Sequence, residues 1–184
     1  MLKKTTKTLV IMALSIALNI VVGNVVLLLK LPIYLDTLGT MLTSLLFGPI
    51  AGMSVGLASG VITGVTADLY SLYFSPVQIA VGLMTGLLFH RQVACPFWLK
   101  VLGVALPGTL IASSITVLLF GGITSSGSSL IVQLLTGLGL NQTLSVFLIQ
   151  LVTDYADRFI ALSLVLATVR LLPGYRKLVT PKNK

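Results

Sequence analysis

The chain has 184 residues, of which 56% are hydrophobic and only 9% are charged. A soluble domain usually has about 25% charged residues, which excludes a water-facing surface over most of this molecule and predicts an integral membrane protein. The net charge of +8 does not indicate nucleic-acid binding, because basic residues of membrane proteins accumulate in cytoplasmic loops.

Long apolar runs determine the predicted helices. Crossing a hydrocarbon core about 30 Å thick takes roughly 20 helical residues, so the length allows one membrane domain, residues 1–184, without a separate soluble domain. In chain order, six helices are predicted, at residues 8–29, 35–47, 50–67, 77–89, 99–120 and 154–172. The first run exceeds the signal-peptide core of about 7–15 residues, so we expect a retained helix. The predicted fold is all-α, a six-transmembrane-helix bundle.

Residues 121–153 are predicted to form a long outer loop with one or two partly inserted short helices. The segment opens with the flexible run Gly121–Ser129, and its apolar part is interrupted by Gly137, Gly139, Asn141 and Gln142. A seventh span here would also place the basic C-terminal tail outside, against the positive-inside rule.

The charges predict the orientation. Ten of the twelve basic residues fall at the ends shared with the two termini, and all four aspartates, at positions 36, 68, 154 and 157, fall at the opposite ends. By the positive-inside rule, both termini are expected in the cytoplasm of a bacterial cell, with the protein in its plasma membrane.

Small residues recur at helical spacing. Five glycines repeat every four residues: Gly48, Gly52, Gly56, Gly60 and Gly64. Small side chains let membrane helices approach closely, so these glycines predict packing, either within the bundle or against a second subunit. Ala13 and Ala17 form an AxxxA pair in the first helix, and Gly82 and Gly86 repeat the spacing later.

Polar and aromatic residues near the predicted outer ends are candidates for a ligand site. Ten are selected: Tyr34, Asp36, Tyr70, Tyr73, Phe74, Gln78, Asn141, Gln150, Asp154 and Arg158. Ionisable groups at membrane depth usually have a function. The alternatives are that the tyrosines anchor the interface, that the amides bond neighbouring helices, and that Asp154 and Asp157 open a helix beside an Asp154–Arg158 ion pair.

Motifs for catalysis are absent from the sequence. There is no GxxxxGK[ST] phosphate-binding loop and no HExxH motif. The one histidine, His90, lies at the cytoplasmic edge, away from a serine it could activate, and the one cysteine, Cys95, excludes an internal disulfide. We therefore expect no enzyme activity, no metal and no cofactor.

Several blocks resemble a known family. These are PIYLDTLGTML at 32–42, FGPIAGMSVGLASGVITG at 47–64, SPVQIAVGLMTGLL at 75–88 and DRFIALSL…RLLP at 157–173. With the AxxxA pair and short inner loops, the chain resembles the substrate-binding S components of energy-coupling factor (ECF) vitamin transporters, in the riboflavin-type subfamily. That subfamily often has Asp-Lys where this chain has Asp157-Arg158.

The resemblance implies a binding subunit with partners. It would bind a B-group vitamin near the outer face and dock through Ala13 and Ala17 on a transmembrane scaffold subunit. Two cytoplasmic ATPases would supply the energy, which fits the missing phosphate-binding loop.

The vitamin is left open by the sequence. Arg158 suits a carboxylate such as that of pantothenate, whereas the tyrosines and Phe74 suit a flat ring of a vitamin B6 or riboflavin type, which is slightly preferred. The alternatives to a binding subunit are a non-transporting membrane scaffold and a stand-alone carrier. A carrier is disfavoured because no ionisable residue falls at mid-depth in the predicted helices.

Overall fold

The protein is described by a computed structural model, which covers residues 4–171. Every regular element in this range is helical. The helices are α1 Lys4–Leu28, α2 Leu38–Phe47, α3 Pro49–Thr66, α4 Tyr70–Tyr73, α5 Ser75–Thr85, α6 Phe97–Phe120, α7 Ser128–Gly137 and α8 Gln142–Leu171, with a π-helical turn, Gly86–His90, continuing α5. The all-α class predicted from the sequence is confirmed for these residues.

Glycine and proline set several helix ends. Gly48 has a positive φ of 94° and separates α2 from α3, whose first residue is Pro49. Proline suits this position because the first helical N–H has no partner inside the helix. Gly121 ends α6 in the left-handed conformation that glycine adopts without steric cost.

Three of the helices are long and apolar enough to cross a membrane, within Thr5–Leu28, Pro49–Thr66 and Phe97–Phe120. Their length and composition indicate a membrane protein. α2 has only 10 residues, and α8, with 30 residues, has Asp154, Asp157 and Arg158 near its middle. The count of six spans therefore stays a prediction.

Leucines on the outside of α1 agree with a lipid-facing surface. Leu14 is 65% exposed and Leu28 is 83% exposed, and further large apolar residues along this helix are also exposed. The interior is built by α3 packing against α2 and α5, and by α6 packing against α8. Met41, Leu45 and Leu162 are among the fully buried side chains of this core.

The glycine repeat packs inside the chain's own bundle. A Cβ at Gly56 would lie 2.7 Å from the carbonyl oxygen of Gln78 on α5, and one at Gly60 would meet Ser75. Gly52 lies against Ser44 of α2 in the same way. These approaches account for Gly52, Gly56 and Gly60 without a second subunit, since only glycine leaves room for the neighbouring helix.

The loop predicted at 121–153, with one or two short helices in it, contains the short helix α7, but residues 142–153 belong to α8 and need correction. α8 begins at Gln142 rather than at 154. Asn141, interpreted from the sequence as an interruption, caps the helix: its Oδ1 accepts a hydrogen bond from the N–H of Leu144 at 3.3 Å. Asparagine favours this position because its side chain satisfies a free N–H of the first turn.

The longer α8 also corrects the interpretation of the DYADR segment. Asp154 and Asp157 lie inside the helix, not at its start, so the helix dipole does not explain them. The other predicted helices differ from the observed ones by a few residues at their ends, as is usual for boundaries assigned from sequence. Leu172, the last residue of the sixth predicted helix, lies outside the described residues.

Candidate ligand-binding site

A cavity of about 110 Å³ opens between the C-terminal halves of α1 and α3, the start of α5 and the middle of α8. The α1–α2 connection (residues 29–37) and the segment 124–126 complete its wall. Seven of the ten predicted ligand residues line it: Tyr34, Asp36, Tyr70, Phe74, Gln78, Asp154 and Arg158. The structure therefore brings together most of the residues that the sequence had selected one by one.

Asp157 ties the α1–α2 connection to α8. Its Oδ1 accepts hydrogen bonds from the backbone N–H groups of Tyr34 at 3.0 Å and Leu35 at 2.7 Å. Leu35 has a positive φ of 48°, which is uncommon for a residue other than glycine. The carboxylate thus holds in place the turn that carries Tyr34 and Asp36 to the cavity.

Arg158 reaches the cavity wall already paired. Its Nη1 donates a hydrogen bond to Thr37 Oγ1 at 2.7 Å and forms an ion pair with Asp157 Oδ2. Arg158 is 3% exposed and Asp157 is fully buried. One alternative from the sequence is an ion pair of Arg158 with Asp154, and the structure corrects the partner to the neighbouring Asp157.

Two other carboxylates at the cavity have neutral hydrogen-bond donors. Asp154 is 4% exposed, and its Oδ2 accepts a hydrogen bond from Thr109 at 2.8 Å. Asp36 Oδ2 accepts one from Gln78 Nε2 at 2.8 Å. Within residues 4–171, the only ion pair is the one between Arg158 and Asp157, so neither Asp154 nor Asp36 has a cation in direct contact.

Asp36 lies in the α1–α2 connection, outside the helices. Burial raises the pKa of its carboxyl group to about 6, while the nearby positive charge of Arg158 opposes this shift. Burial disfavours the charged form of an acid because solvation is lost. A pKa of about 6 still leaves the carboxylate form predominant at neutral pH.

Buried amides connect α1 with α2, α3 and α5 beside the cavity. Asn19 Nδ2 donates hydrogen bonds to Thr40 Oγ1 at 2.9 Å and to Ser59 Oγ at 3.0 Å. Thr40 Oγ1 in turn donates to Gln78 Oε1 at 3.2 Å. This chain of bonds orients Gln78, whose amide nitrogen is then directed at Asp36.

Aromatic side chains form one side of the site by packing around Phe120, at the end of α6. The ring centroids of Tyr70, Tyr73 and Phe74 lie 4.7, 5.3 and 6.1 Å from that of Phe120. Tyr70 and Phe74 line the cavity, whereas Tyr73 does not and is 46% exposed. Phe120 thus positions the aromatic groups without lining the cavity itself.

Two further predicted residues are outside the cavity lining. Gln150 is buried between α6 and α8, where it accepts a hydrogen bond from Ser113 at 2.7 Å and donates one to Thr116 at 2.8 Å. Gln150 therefore agrees with the alternative interpretation, in which its amide forms hydrogen bonds with a neighbouring helix. Asn141 is exposed and caps α8.

Some lining residues carried no signal in the sequence. Thr37, Ser59 and the hydroxyl residues at 124–126 line the cavity, but isolated hydroxyl residues are common in apolar helices and loops. These residues can be recognised as part of the cavity wall only because the helices and loops that carry them meet there.

Comparisons with known proteins leave the chain unassigned. No family model matches its sequence, no curated protein is significantly similar to it, and no solved structure matches it. The residues and the geometry of the cavity are therefore the basis for a proposed function.

Proposed function

We propose that the protein is the substrate-binding subunit of an ECF-type importer, and that its cavity binds a B-group vitamin or a related small molecule. The observation that carries this proposal is the convergence of Tyr34, Asp36, Phe74, Asp154 and Arg158 on one cavity. Apolar walls with a few oriented polar groups are typical of small-molecule sites.

The exposed face of α1 supports a partner subunit. Ala13 and Ala17 are both exposed, on the same helix as the exposed Leu14 and Leu18. Small residues on an exposed apolar face allow another membrane helix to approach closely. We assign this face to a transmembrane scaffold subunit, which would connect the protein to two cytoplasmic ATPases.

The distribution of charge supports an orientation with the cavity outward and the termini in the cytoplasm. Lys7 lies near the start of α1, Lys100 near the start of α6 and Arg170 in the last turn of α8. The cavity instead lies towards the C-terminal half of α1. Basic residues at the end away from the cavity agree with a cytoplasmic location of that end in the plasma membrane.

Binding to the purified protein is the direct test. We expect native mass spectrometry to detect a bound small molecule, or one B-group vitamin to raise the thermal stability of the protein, because a ligand stabilises the state that binds it. A protein that neither retains nor is stabilised by any small molecule would instead be the alternative, a non-transporting scaffold.

Two neighbouring aromatic residues allow a matched test of the site. Phe74→Ala removes a cavity wall and should weaken ligand binding by about tenfold or more. Tyr73→Ala removes a ring from the same aromatic cluster, but outside the cavity lining, and should change affinity by less than about threefold. Equal effects of the two substitutions would contradict the location of the site.

A further inference from the structure

The acidic residues of the chain gather around the cavity. There are four in the whole sequence, all aspartates. Asp36 and Asp154 line the cavity, and Asp157 pairs with Arg158 in its wall. Asp68 lies at the rim, where it accepts a hydrogen bond from Ser125 at 2.9 Å. The rest of the sequence has no acidic side chain, so the negative charge of the protein is confined to the surroundings of the cavity.

Arg158 does not balance these charges. Its guanidinium is in direct contact with Asp157, and Thr37 accepts a further hydrogen bond from it, while its single charge also attracts Asp154 and Asp36 from a greater distance. The carboxylates of Asp36 and Asp154 remain, each hydrogen-bonded to a neutral donor at the cavity. Three carboxylates against one guanidinium leave an excess of negative charge.

The buried negative charge at the cavity determines which ligands are favoured. Asp154 is almost completely buried, and a buried carboxylate with no cation in direct contact is costly because it has lost its hydration. A positively charged ligand offsets this cost, whereas an anionic ligand adds repulsion and its own loss of hydration. Tyr70 and Phe74 line the same cavity, and the face of an aromatic ring attracts a cation.

The size of the cavity limits the ligand further. A volume of about 110 Å³ is small for a ligand pocket, since such pockets usually have roughly 300–1,000 Å³. This space matches a single-ring compound better than a three-ring flavin.

We propose that the cavity binds a small single-ring compound carrying a positive charge, such as a protonated amine, and discriminates against anionic compounds. This inference rests on the proposed function and names the substrate class of that same site. It assigns the direct ligand contact to Asp154 and Asp36, with Arg158 serving to hold Asp157 and Thr37 in place.

Two series of compounds with a constant ring and a changing charge test the proposal. The first is pyridoxamine, pyridoxine and 4-pyridoxate, and the second is benzylamine, benzyl alcohol and benzoate. Affinity for the full-length protein in detergent is measured by calorimetry at neutral pH. In the series that binds, we expect the amine to bind about tenfold or more tightly than the alcohol, and the acid to bind most weakly.

The outcomes separate this proposal from the proposed function. Stronger binding of the alcohol or the acid overturns the charge preference and leaves a binding subunit in place. If neither series binds, the compound that co-purifies with the protein is identified by mass spectrometry. A co-purified amine or other cation supports the proposal, and a carboxylate or phosphate overturns it. Absence of any bound compound contradicts both proposals.

Substitution of the acids gives an independent readout. Asp154→Asn keeps the size of the side chain and an oxygen that accepts from Thr109, so the protein should still fold. It should weaken amine binding by about tenfold and alter alcohol binding by less than about threefold. Asp68→Asn, at the rim, is the matched control and should change neither affinity by more than about threefold. Equal losses for amine and alcohol in Asp154→Asn would contradict the proposal.

Discussion

Asp157 uses its two carboxylate oxygens for two different contacts. One carboxylate oxygen binds two backbone N–H groups of the α1–α2 connection, and the other forms the ion pair with Arg158. A buried ion pair contributes little net stability by itself, but removal of one partner leaves an uncompensated charge. The site therefore depends on a residue that does not line the cavity.

We predict that Asp157→Ala destabilises the protein by about 3–5 kcal/mol, because Arg158 loses its counter-ion and two N–H groups lose their acceptor. Asp157→Asn should cost less, since the amide oxygen still accepts from Tyr34 and Leu35. The free energy of unfolding in detergent measures both effects.

Asp68→Ala is the control for this prediction. Asp68 accepts hydrogen bonds from hydroxyl groups and lies at the rim, so its loss should cost about 1 kcal/mol or less. A stability of Asp157→Ala equal to that of the unchanged protein would show that the connection is held by other contacts.

Among the elements, α3 and α5 cross at their glycines. Gly82 of α5 lies against the backbone of α3, where an added Cβ would be 2.7 Å from the carbonyl carbon of Gly52. Gly86 approaches Pro49 in the same manner. A backbone cannot move aside for an added Cβ as a flexible side chain can, so the close contact at this crossing requires glycine.

We predict that Gly82→Ala destabilises the protein by about 1–3 kcal/mol, the usual cost of overpacking a close contact. Gly137→Ala in α7 is the matched control, because nothing lies within 4 Å of its added Cβ. That change should be neutral or stabilising by up to about 1 kcal/mol, since alanine favours the helix. Equal effects on thermal unfolding would contradict the packing role of Gly82.

At the scale of the whole molecule, the apolar surface and the cavity belong to different regions. The part of α1 up to Ala17 exposes Ala13, Leu14 and Ala17, while the part from Asn19 onwards contributes Asn19 and Gly23 to the cavity. A partner on the first region would leave the second accessible. The two functions of the proposed subunit are therefore separable by substitution.

We predict that Ala17→Leu reduces assembly with the scaffold and ATPase subunits, and with it uptake, by about tenfold or more, while ligand affinity is unchanged. A bulky side chain would keep the partner helix from approaching closely. Co-purification of the complex and uptake by whole cells measure the effect.

Ala167→Leu provides the control, because Ala167 is an exposed alanine on α8 and should tolerate the change. Loss of ligand binding in Ala17→Leu, or equal loss of assembly in both variants, would place the docking surface elsewhere.

The local sequence pattern is sufficient to predict the class of the molecule, which is an all-α membrane protein. The shortage of charge and the long apolar runs predict helices in a membrane, and α1, α3 and α6 agree with that expectation. The spacing of the glycines likewise predicts a close helix contact, because the period of the helix puts every fourth residue near the same face. These properties depend on helix geometry and on the surrounding solvent, and the residues that determine them lie close together in the sequence.

The partners of the polar residues required the tertiary structure. Asp157 binds backbone groups at residues 34 and 35, more than 120 positions earlier in the chain, and Gln150 turns to α6 rather than to the cavity. Consecutive helical residues point about 100° apart, so the rotation of α8 about its axis decides which of Gln150, Asp154 and Asp157 reaches which neighbour. That rotation results from the packing of the whole bundle, so it cannot be predicted from a short stretch of sequence.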